Sequence, residues 1–234
     1  MIGRKRFWEE VSVTEGNGIF GVTLDGRPLR TPEKHVLAVP SRSLADAIAA
    51  EWAGVEGEIQ PDLLPYTRAA NSAIDRISAQ RAPVVDSLAA YGDADLLCYR
   101  ADGPAALQDR QAEQWDPWLD WSEQQLSAPL VRVNGIMHRA QPSESLDALR
   151  KAVDVHSDFE LTAFHDLVTL SGSLVLALAV SRGVLEVDAA WRLSRLDEIW
   201  QAEQWGKDHE AEQAAQVKGE AFLRAARLLS LLRS

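Results

Sequence analysis

The sequence predicts an α+β protein in which a small N-terminal β-meander with one helix, residues 1–60, precedes a larger and mostly α-helical part, residues 61–234. Short alternating apolar segments separated by turn residues fill the start of the chain, whereas apolar residues recur at helical spacing beyond Pro61. The charge changes as well: residues 1–42 carry 7 basic and 5 acidic side chains, and the remaining residues carry 17 and 30. The helical part is therefore the acidic part of a chain whose formal net charge is −11.

The N-terminal meander is predicted from alternating apolar residues and from turn residues between them. Three or four short strands are expected, at Phe7–Val13, Phe20–Leu24, Arg27–Thr31 and Val36–Val39. A turn at Glu15–Gly18 and a second at Asp25-Gly26 separate them, since Gly and Asp-Gly suit hairpin turns. Ser41 is a suitable N-cap for the helix that follows, and Gly54 ends this helix. Strands followed by one helix predict a small two-layer unit.

Beyond Pro61 the apolar residues follow the 3.6-residue period of amphipathic helices. The predicted helices are Thr67–Ala79, Pro83–Tyr91, Pro104–Leu126, Ser143–Val153, Phe159–Ser181, Asp188–Gly206 and Asp208–Leu232. Pro117 is expected to kink or split its helix, because proline cannot donate a backbone hydrogen bond. Val131–Val133 is expected to be extended, and Phe159–Ser181 is the most apolar helix.

Composition excludes several classes of protein. The chain is 46% hydrophobic and 25% charged, which is typical of globular domains and not of disordered ones. One cysteine, Cys98, excludes an intramolecular disulfide and a multi-cysteine metal site, and we expect it to be buried. The acidic balance argues against nucleic acid as a partner. The longest apolar stretch, Leu167–Val180, is too short and too interrupted for a membrane span, so no membrane insertion is expected.

Motifs for nucleotide, cofactor or metal binding are absent from the sequence. There is no P-loop, no Gly-x-Gly-x-x-Gly after a strand and no Gly-x-Ser-x-Gly elbow. The five histidines are scattered, and His165-Asp166 is the one suggestive neighbouring pair. We therefore predict no nucleotide, no cofactor, no metal and no catalytic residues. The basic N-terminus lacks the apolar region of a secretory signal, which predicts a bacterial cytosolic or an already processed chain.

Tryptophans form the most unusual feature of the composition, with eight in the chain. Trp115, Trp118 and Trp121 lie three residues apart and fan across one broad side of their predicted helix. Such a stripe is either part of the core or an exposed aromatic surface that anchors a partner, since Trp is enriched at binding hot spots.

A second aromatic region lies in the segment from Trp191 to Gly206. Its expected core stripe consists of Leu193, Leu196, Ile199 and Trp200. Glu198 and Gln201 stand beside this stripe. A charged group at such a flank is either a solvated edge or a recognition group at the rim of an apolar surface.

Five stretches in order along the chain carry a resemblance to a known family. They are Val22–Pro32, Leu44–Trp52, Asp95–Ala101, Arg110–Pro117 and Leu196–Gly206. Together they resemble the assembly chaperones of the F1 catalytic head of ATP synthase, specifically the chaperone of the α subunit, which occur in mitochondria and in alphaproteobacteria. Thr67–Asp75 departs from the pattern, as a weaker variant of the family's Thr-Arg-Leu-Ala-Asn-Thr-Ala-Ile-Asp.

The resemblance implies a small N-terminal α/β domain and a larger helical domain, and a protein that is not an enzyme. It implies that the chain binds the free F1 α subunit and keeps it from aggregating until the β subunit arrives. It also implies a location in the bacterial cytoplasm, or in the mitochondrial matrix for eukaryotic relatives. An acidic residue of the penultimate helix is important in the family; it maps to Asp197-Glu198, and we favour Glu198. The expected partner-binding residues are Glu198, Asp197, Gln201, Trp205, Trp115, Trp118 and Trp121.

Two other functions remain open from the sequence. The first is a small-molecule enzyme with a carboxylate and histidine cleft around Asp197, Glu198 and His209, which Glu203 and the His165-Asp166 pair could join. An enzyme needs a concave pocket with convergent titrating groups, whereas a chaperone needs a broad and shallow apolar surface. The second is an adaptor that binds a different subunit.

Overall fold

A four-stranded antiparallel sheet and ten α-helices are formed by the residues that the computed structural model describes, 5–234. The strands of this sheet are β1 (Val11–Gly16), β2 (Ile19–Leu24), β3 (Arg27–Pro28) and β4 (Ala38–Val39). A separate parallel pair consists of β5 (Tyr99–Arg100) and β6 (Val133–Asn134). The helices are α1 (Arg42–Ala53), α2 (Pro65–Ser72), α3 (Arg81–Ala89), α4 (Ala105–Leu126), α5 (Ser143–Asp154), α6 (Asp158–Ser171), α7 (Leu174–Ser181), α8 (Val187–Ser194), α9 (Leu196–Trp205) and α10 (His209–Arg233). The predicted α+β fold class is confirmed.

These elements belong to two compact units. The first unit contains the described residues up to Arg81, with Ser157–Ala163 and Arg227–Ser234. The second unit contains Ala82–His156 and Phe164–Ala226. The sequence predicted a domain boundary after residue 60. A domain boundary separates parts that fold independently, so this boundary stays a prediction. No helix among residues 5–234 has the length and apolar character that crossing a bilayer requires.

Strand β2 is the centre of the N-terminal sheet. It pairs with all of β1 on one edge, and with both β3 and β4 on the other. Asn17 and Gly18 adopt positive φ angles of 54° and 73°, as a two-residue hairpin turn requires. The first strand was predicted at Phe7–Val13; it instead begins at Val11 and includes Glu15 and Gly16, because these two residues pair with β2.

Helix α1 begins at the predicted cap and covers the sheet. The Ser41 hydroxyl accepts a hydrogen bond from the Leu44 N–H at 3.2 Å, and Leu44 and Ile48 are fully buried. Near its end, Glu51 accepts hydrogen bonds from the backbone N–H groups of Tyr66 and Thr67, at 2.6 and 2.9 Å. A carboxylate of α1 thus caps the start of α2, which lacks a cap of its own.

Two predicted long helices are each interrupted. The segment Phe159–Ser181 forms α6 and α7, because Gly172 adopts a φ of +69° and the Ser173 hydroxyl caps α7 through the Leu176 N–H. The segment Asp188–Gly206 forms α8 and α9. Here the Ser194 hydroxyl donates to the Trp191 carbonyl at 2.9 Å, a local bond that competes with continued helix.

Helix α4 confirms the helix predicted at Pro104–Leu126, and it runs unbroken through Pro117 over 22 residues, so Pro117 does not split it; a kink there stays a prediction. A proline inside a helix removes one backbone donor. Trp115 and Leu119, two residues before and two residues after Pro117, are 1% and 2% exposed. Their burial holds the helix together across the missing bond.

Helix α7 is the apolar centre of the second unit, and all eight of its residues are buried. Its start is capped by Asp95, which lies 80 residues earlier in the chain. The Asp95 carboxylate accepts from the Val175 N–H at 2.9 Å and from the Leu97 N–H at 3.0 Å. Desolvation raises the pKa of this buried carboxyl from 3.8 to about 6, although the hydrogen bonds oppose the increase.

Asp95 should give the protein a distinctive dependence of stability on pH. In the folded chain the Asp95 carboxyl group keeps its proton at pH values where the same group in the unfolded chain has released it. The contribution of Asp95 to the free energy of unfolding is therefore largest below about pH 4 and is lost as the pH rises through about 6. Asp95→Asn removes the titration, so the stability of the wild type relative to this variant should fall by about 3 kcal/mol over that range, at 1.36 kcal/mol per pKa unit.

The measurement is urea unfolding of both proteins at a series of pH values from about 3.5 to 7. Asp109→Asn is the matched control, because Asp109 is exposed and makes no hydrogen bond or ion pair within residues 5–234. A difference between wild type and Asp95→Asn that stays constant with pH would contradict the assignment.

Candidate partner-binding site

Polar side chains of α4 fasten the acidic helix α9. The Arg110 guanidinium forms a two-point ion pair with Glu203, one bond being Nη2 to Oε1 at 3.1 Å. One residue later, the buried Gln111 amide donates from Nε2 to Asp197 Oδ1 at 2.7 Å. Arg110 also lies 5.8 Å from the centre of the Trp200 ring. These contacts fix both ends of α9, and they lower the pKa of Glu203 through the hydrogen bond from Arg110.

Trp115 is the core residue beneath this attachment. Its ring is 1% exposed, and its Nε1 donates to the Leu193 carbonyl at 2.9 Å. The Arg100 guanidinium lies 5.2 Å from the ring centre and donates to Asp116 at 2.6 Å. Trp115 therefore matches the core alternative for the tryptophan stripe, and it is not accessible as a surface anchor.

Trp118 and Trp121, the other two members of the stripe, are each half-buried. Their ring centres lie 6.4 Å apart in an edge-to-face arrangement, and the Arg182 guanidinium lies 6.0 Å from Trp121. Each ring leaves part of its surface open to a partner. Their role in binding stays a prediction.

The outer side of α9 is open and unpaired. Glu198, Gln201 and Trp205 follow one another at i, i+3 and i+7, so they share one side of the helix. All three are exposed, Trp205 by 78%. Within residues 5–234, neither Glu198 nor Gln201 makes a side-chain hydrogen bond or an ion pair. We call these three residues the α9 face.

The core side of α8 and α9 is smaller than the sequence predicted. Of the four expected core residues only Leu196 is buried, whereas Leu193, Ile199 and Trp200 are half-buried. The break at Arg195 explains this difference, because it ends the single helical stripe on which all four were placed. Glu198 is exposed, as its place beside the expected core stripe predicted.

The residues of the enzyme hypothesis do not line a common cleft. A cavity of about 610 Å³ lies beside α8 and the first turns of α10, and its lining includes His209, Trp191 and Arg195 but not Asp197 or Glu198. Asp197 is bound to Gln111, and Glu203 to Arg110. His165 pairs with its neighbour Asp166 at 3.1 Å on an exposed helix surface. Burial raises the pKa of the Cys98 thiol to about 12, so this buried cysteine is no nucleophile.

One group of side chains, in the first unit, has the composition of a metal site. Single ligand atoms of Glu33, His35 and Asp75 lie within 4.8 Å of one another. Hydrogen bonds account for this arrangement, because Asp75 accepts from the Glu33 N–H at 3.2 Å and pairs with His35 Nδ1 at 2.9 Å. Asp75 thereby ties the turn before β4 to the helical segment after α2.

Sequence reasoning missed the role of Arg110, Gln111 and Glu203 in positioning α9. Arg110 and Gln111 belong to one of the five stretches that carry the family resemblance, and Glu203 lies within another. Their presence in these stretches marked them as candidates for a role. Helical spacing, however, does not reveal which segments contact each other.

The two kinds of tryptophan should respond oppositely to truncation. Trp115→Ala leaves a cavity in the core and an unpaired Leu193 carbonyl, so the free energy of unfolding should fall by about 3–5 kcal/mol. Trp205→Ala, the matched control, should change it by less than about 0.5 kcal/mol, since its ring is exposed. Urea unfolding measures both. Comparable losses in the two variants would contradict this assignment.

Known proteins resemble this chain in sequence and in structure. A family profile described as ATP12 chaperone protein matches residues 5–123, just over half of the chain. The crystal structure of Atp12 from Paracoccus denitrificans is 46% identical, with a TM-score of 0.93 over 97% of this chain and 98% of that chain. A protein of known crystal structure from Agrobacterium tumefaciens is 41% identical, with a TM-score of 0.91 over 97% of this chain and 86% of that one.

A eukaryotic relative matches as well. The mitochondrial protein atp12 of Schizosaccharomyces pombe is 26% identical over 219 residues, which cover 88% of this chain and 75% of the relative. The family profile and the bacterial structures each cover half of this chain or more. The chain belongs to the ATP12 chaperone protein family.

Proposed function

We propose that this protein binds the free α subunit of the F1 head of ATP synthase and prevents its aggregation until the β subunit displaces it. The observation that carries the proposal is the α9 face, an exposed tryptophan and an unpaired carboxylate on a helix that α4 holds firmly. Membership of a chaperone family supports the general role. The sequence resemblance supports the α subunit as the client, and the bacterial cytoplasm as the location.

The geometry of the α9 face suits transient protein binding. An unassembled subunit exposes an apolar interface that would otherwise aggregate. Trp205 can bury its ring against such a surface, and Glu198 can accept a charge-assisted hydrogen bond from an Arg or Lys of the client. Because Gln111 and Arg110 already fix α9, little ordering entropy is lost when the client binds.

Release requires no nucleotide in this mechanism. A transient interface of this class buries about 1,200–2,000 Å². The β subunit competes for the same apolar surface of the client, so exchange of partners supplies the free energy of release. Within the proposal Asp197 and Trp115 position α9, whereas Glu198, Gln201, Trp205, Trp118 and Trp121 contact the client.

Co-expression tests the function directly. The α subunit expressed alone should aggregate, and co-expression with this protein should keep it in the supernatant as a complex that purified β subunit dissociates. The β subunit, offered alone, is the matched client control and should not be retained. An α subunit that still aggregates would contradict the proposal, and retention of β would favour an adaptor for a different subunit.

Glu198→Gln tests the α9 face. This change keeps the size of the side chain and removes its charge, so binding of the α subunit should weaken by about 1.5–3 kcal/mol, as for a hydrogen bond to a charged group. The melting temperature should not change, because Glu198 has no partner within residues 5–234. Glu56→Gln, an exposed carboxylate of the first unit, is the control and should bind as the wild type does. Unaltered binding by Glu198→Gln would remove Glu198 from the site.

A further inference from the structure

The loop between β6 and α5 presents the two most exposed large apolar side chains of the described residues. Ile136 is 94% exposed and Met137 is 79% exposed. They are also the only exposed large apolar residues, among those described, that are neighbours in the sequence. We call residues 135–139 the loop tip. Two adjacent exposed apolar side chains mark a candidate contact site, because burying them against a partner is favourable.

Hydrogen bonds close the base of this loop on one side. The Gln141 side chain accepts from the Val131 N–H at 2.7 Å and donates to the Val131 carbonyl at 3.0 Å, as a paired strand would. Asp93 accepts from the Gln141 N–H at 2.9 Å, and its other oxygen lies 2.9 Å from His138 Nε2. The residues just after Met137 are therefore held in place.

The other side of the loop is held equally well. The Gly135 N–H donates to the Arg100 carbonyl at 2.8 Å, directly after the paired residues of β6. Gly135 adopts a φ of +78°, and a Cβ atom there would lie 3.0 Å from the Asp102 carboxylate. The positive φ angle favours glycine at this position. The loop tip is thus preformed, and its apolar side chains lose little backbone freedom on binding.

The loop tip and the α9 face are attached to the same helix. Arg132, at the base of the loop, donates to Asp116 at 2.7 Å and to Asp120 at 2.8 Å on α4. Arg100 donates to the same Asp116 and to the Gln111 carbonyl. The Gln111 side chain in turn holds α9. One rigid helix therefore supports both surfaces.

Local charge indicates the chemistry of the partner. Asp93, the carboxylate at the base of the loop, is bound by His138 and by the Gln141 N–H, and the Asp102 carboxylate lies close to Gly135. Arg139 lies two residues after Met137 in the sequence, is exposed, and has no hydrogen bond or ion pair within residues 5–234. A matching surface would offer an apolar depression for Ile136 and Met137, with a carboxylate opposite Arg139.

A protein fits this surface better than a lipid bilayer does. The net charge of −11 repels anionic headgroups, and a single free arginine at the loop tip does not compensate for it. Two side chains are also too small an area for an interface of their own. They suit a second anchor within a larger interface.

We infer that the loop tip is a second contact for the α subunit, in which Ile136 and Met137 enter an apolar depression and Arg139 meets a carboxylate at its rim. This inference rests on the proposed function. Together, the α9 face and the loop tip give the client two contacts of opposite charge, with Glu198 on the first and Arg139 on the second. Such a pair selects against surfaces that match one anchor alone.

The test is the affinity of purified α subunit for the double variant Ile136→Ser, Met137→Ser. Binding should weaken at least tenfold, while the melting temperature stays that of the wild type because both side chains are exposed. Val155→Ser is the matched control, since Val155 is 77% exposed at the end of α5 and should bind normally. Arg139→Glu should weaken binding, and Arg139→Lys should largely retain it.

The possible outcomes separate this inference from the proposed function. If the double variant binds α as tightly as the wild type, the inference is wrong and the proposed function stands. If the wild type itself does not bind α, both are wrong. If the double variant instead loses self-association in sedimentation, or loses binding to phosphatidylcholine vesicles, with no change in α binding, the loop tip serves a second copy or a membrane and the inference is wrong.

Discussion

The second unit depends on one buried carboxylate at the start of its most apolar helix. Helix α7 is buried on all sides, so its first backbone N–H groups have no water to bind. Asp95 supplies the acceptor, and the same carboxylate binds the Leu97 N–H. The segment after it is thereby fixed, and this segment leads directly into Arg100, beneath both proposed contact surfaces.

In the first unit, too, a carboxylate caps the start of a helix, although this carboxylate is less buried than Asp95. Glu51 caps α2 from another helix and receives a further hydrogen bond from the Thr67 hydroxyl at 2.6 Å. Burial raises the pKa of Glu51, against the effect of these hydrogen bonds. In both units a carboxylate remote in sequence fixes where a helix begins. Because the inner residues and the ends of these helices carry the structure, the proposed contact surfaces can occupy their outer residues.

The sequence predicted elements well where the signal is local. Ser41 marked the start of α1, and the division into a sheet and a helical part was visible from periodicity and charge. Prediction failed where tertiary contacts decide: Gly172 ends a helix that periodicity alone continues, and Pro117 does not split the helix in which it lies, which was one of the two outcomes expected of it. In the site, the exposure of Glu198 was predicted from its position beside the expected core stripe. That Trp115 is buried while Trp205 is exposed could not be read from residue type, because it depends on how α4 and α9 pack.

A protein that exposes Trp205, Ile136 and Met137 must also avoid binding to itself. The net charge of −11 provides a means, since copies of the chain repel one another over roughly a Debye length, about 8 Å at physiological ionic strength. That range is comparable to the reach of the exposed side chains. This repulsion opposes contact between identical apolar surfaces, and added salt weakens it because the Debye length shortens.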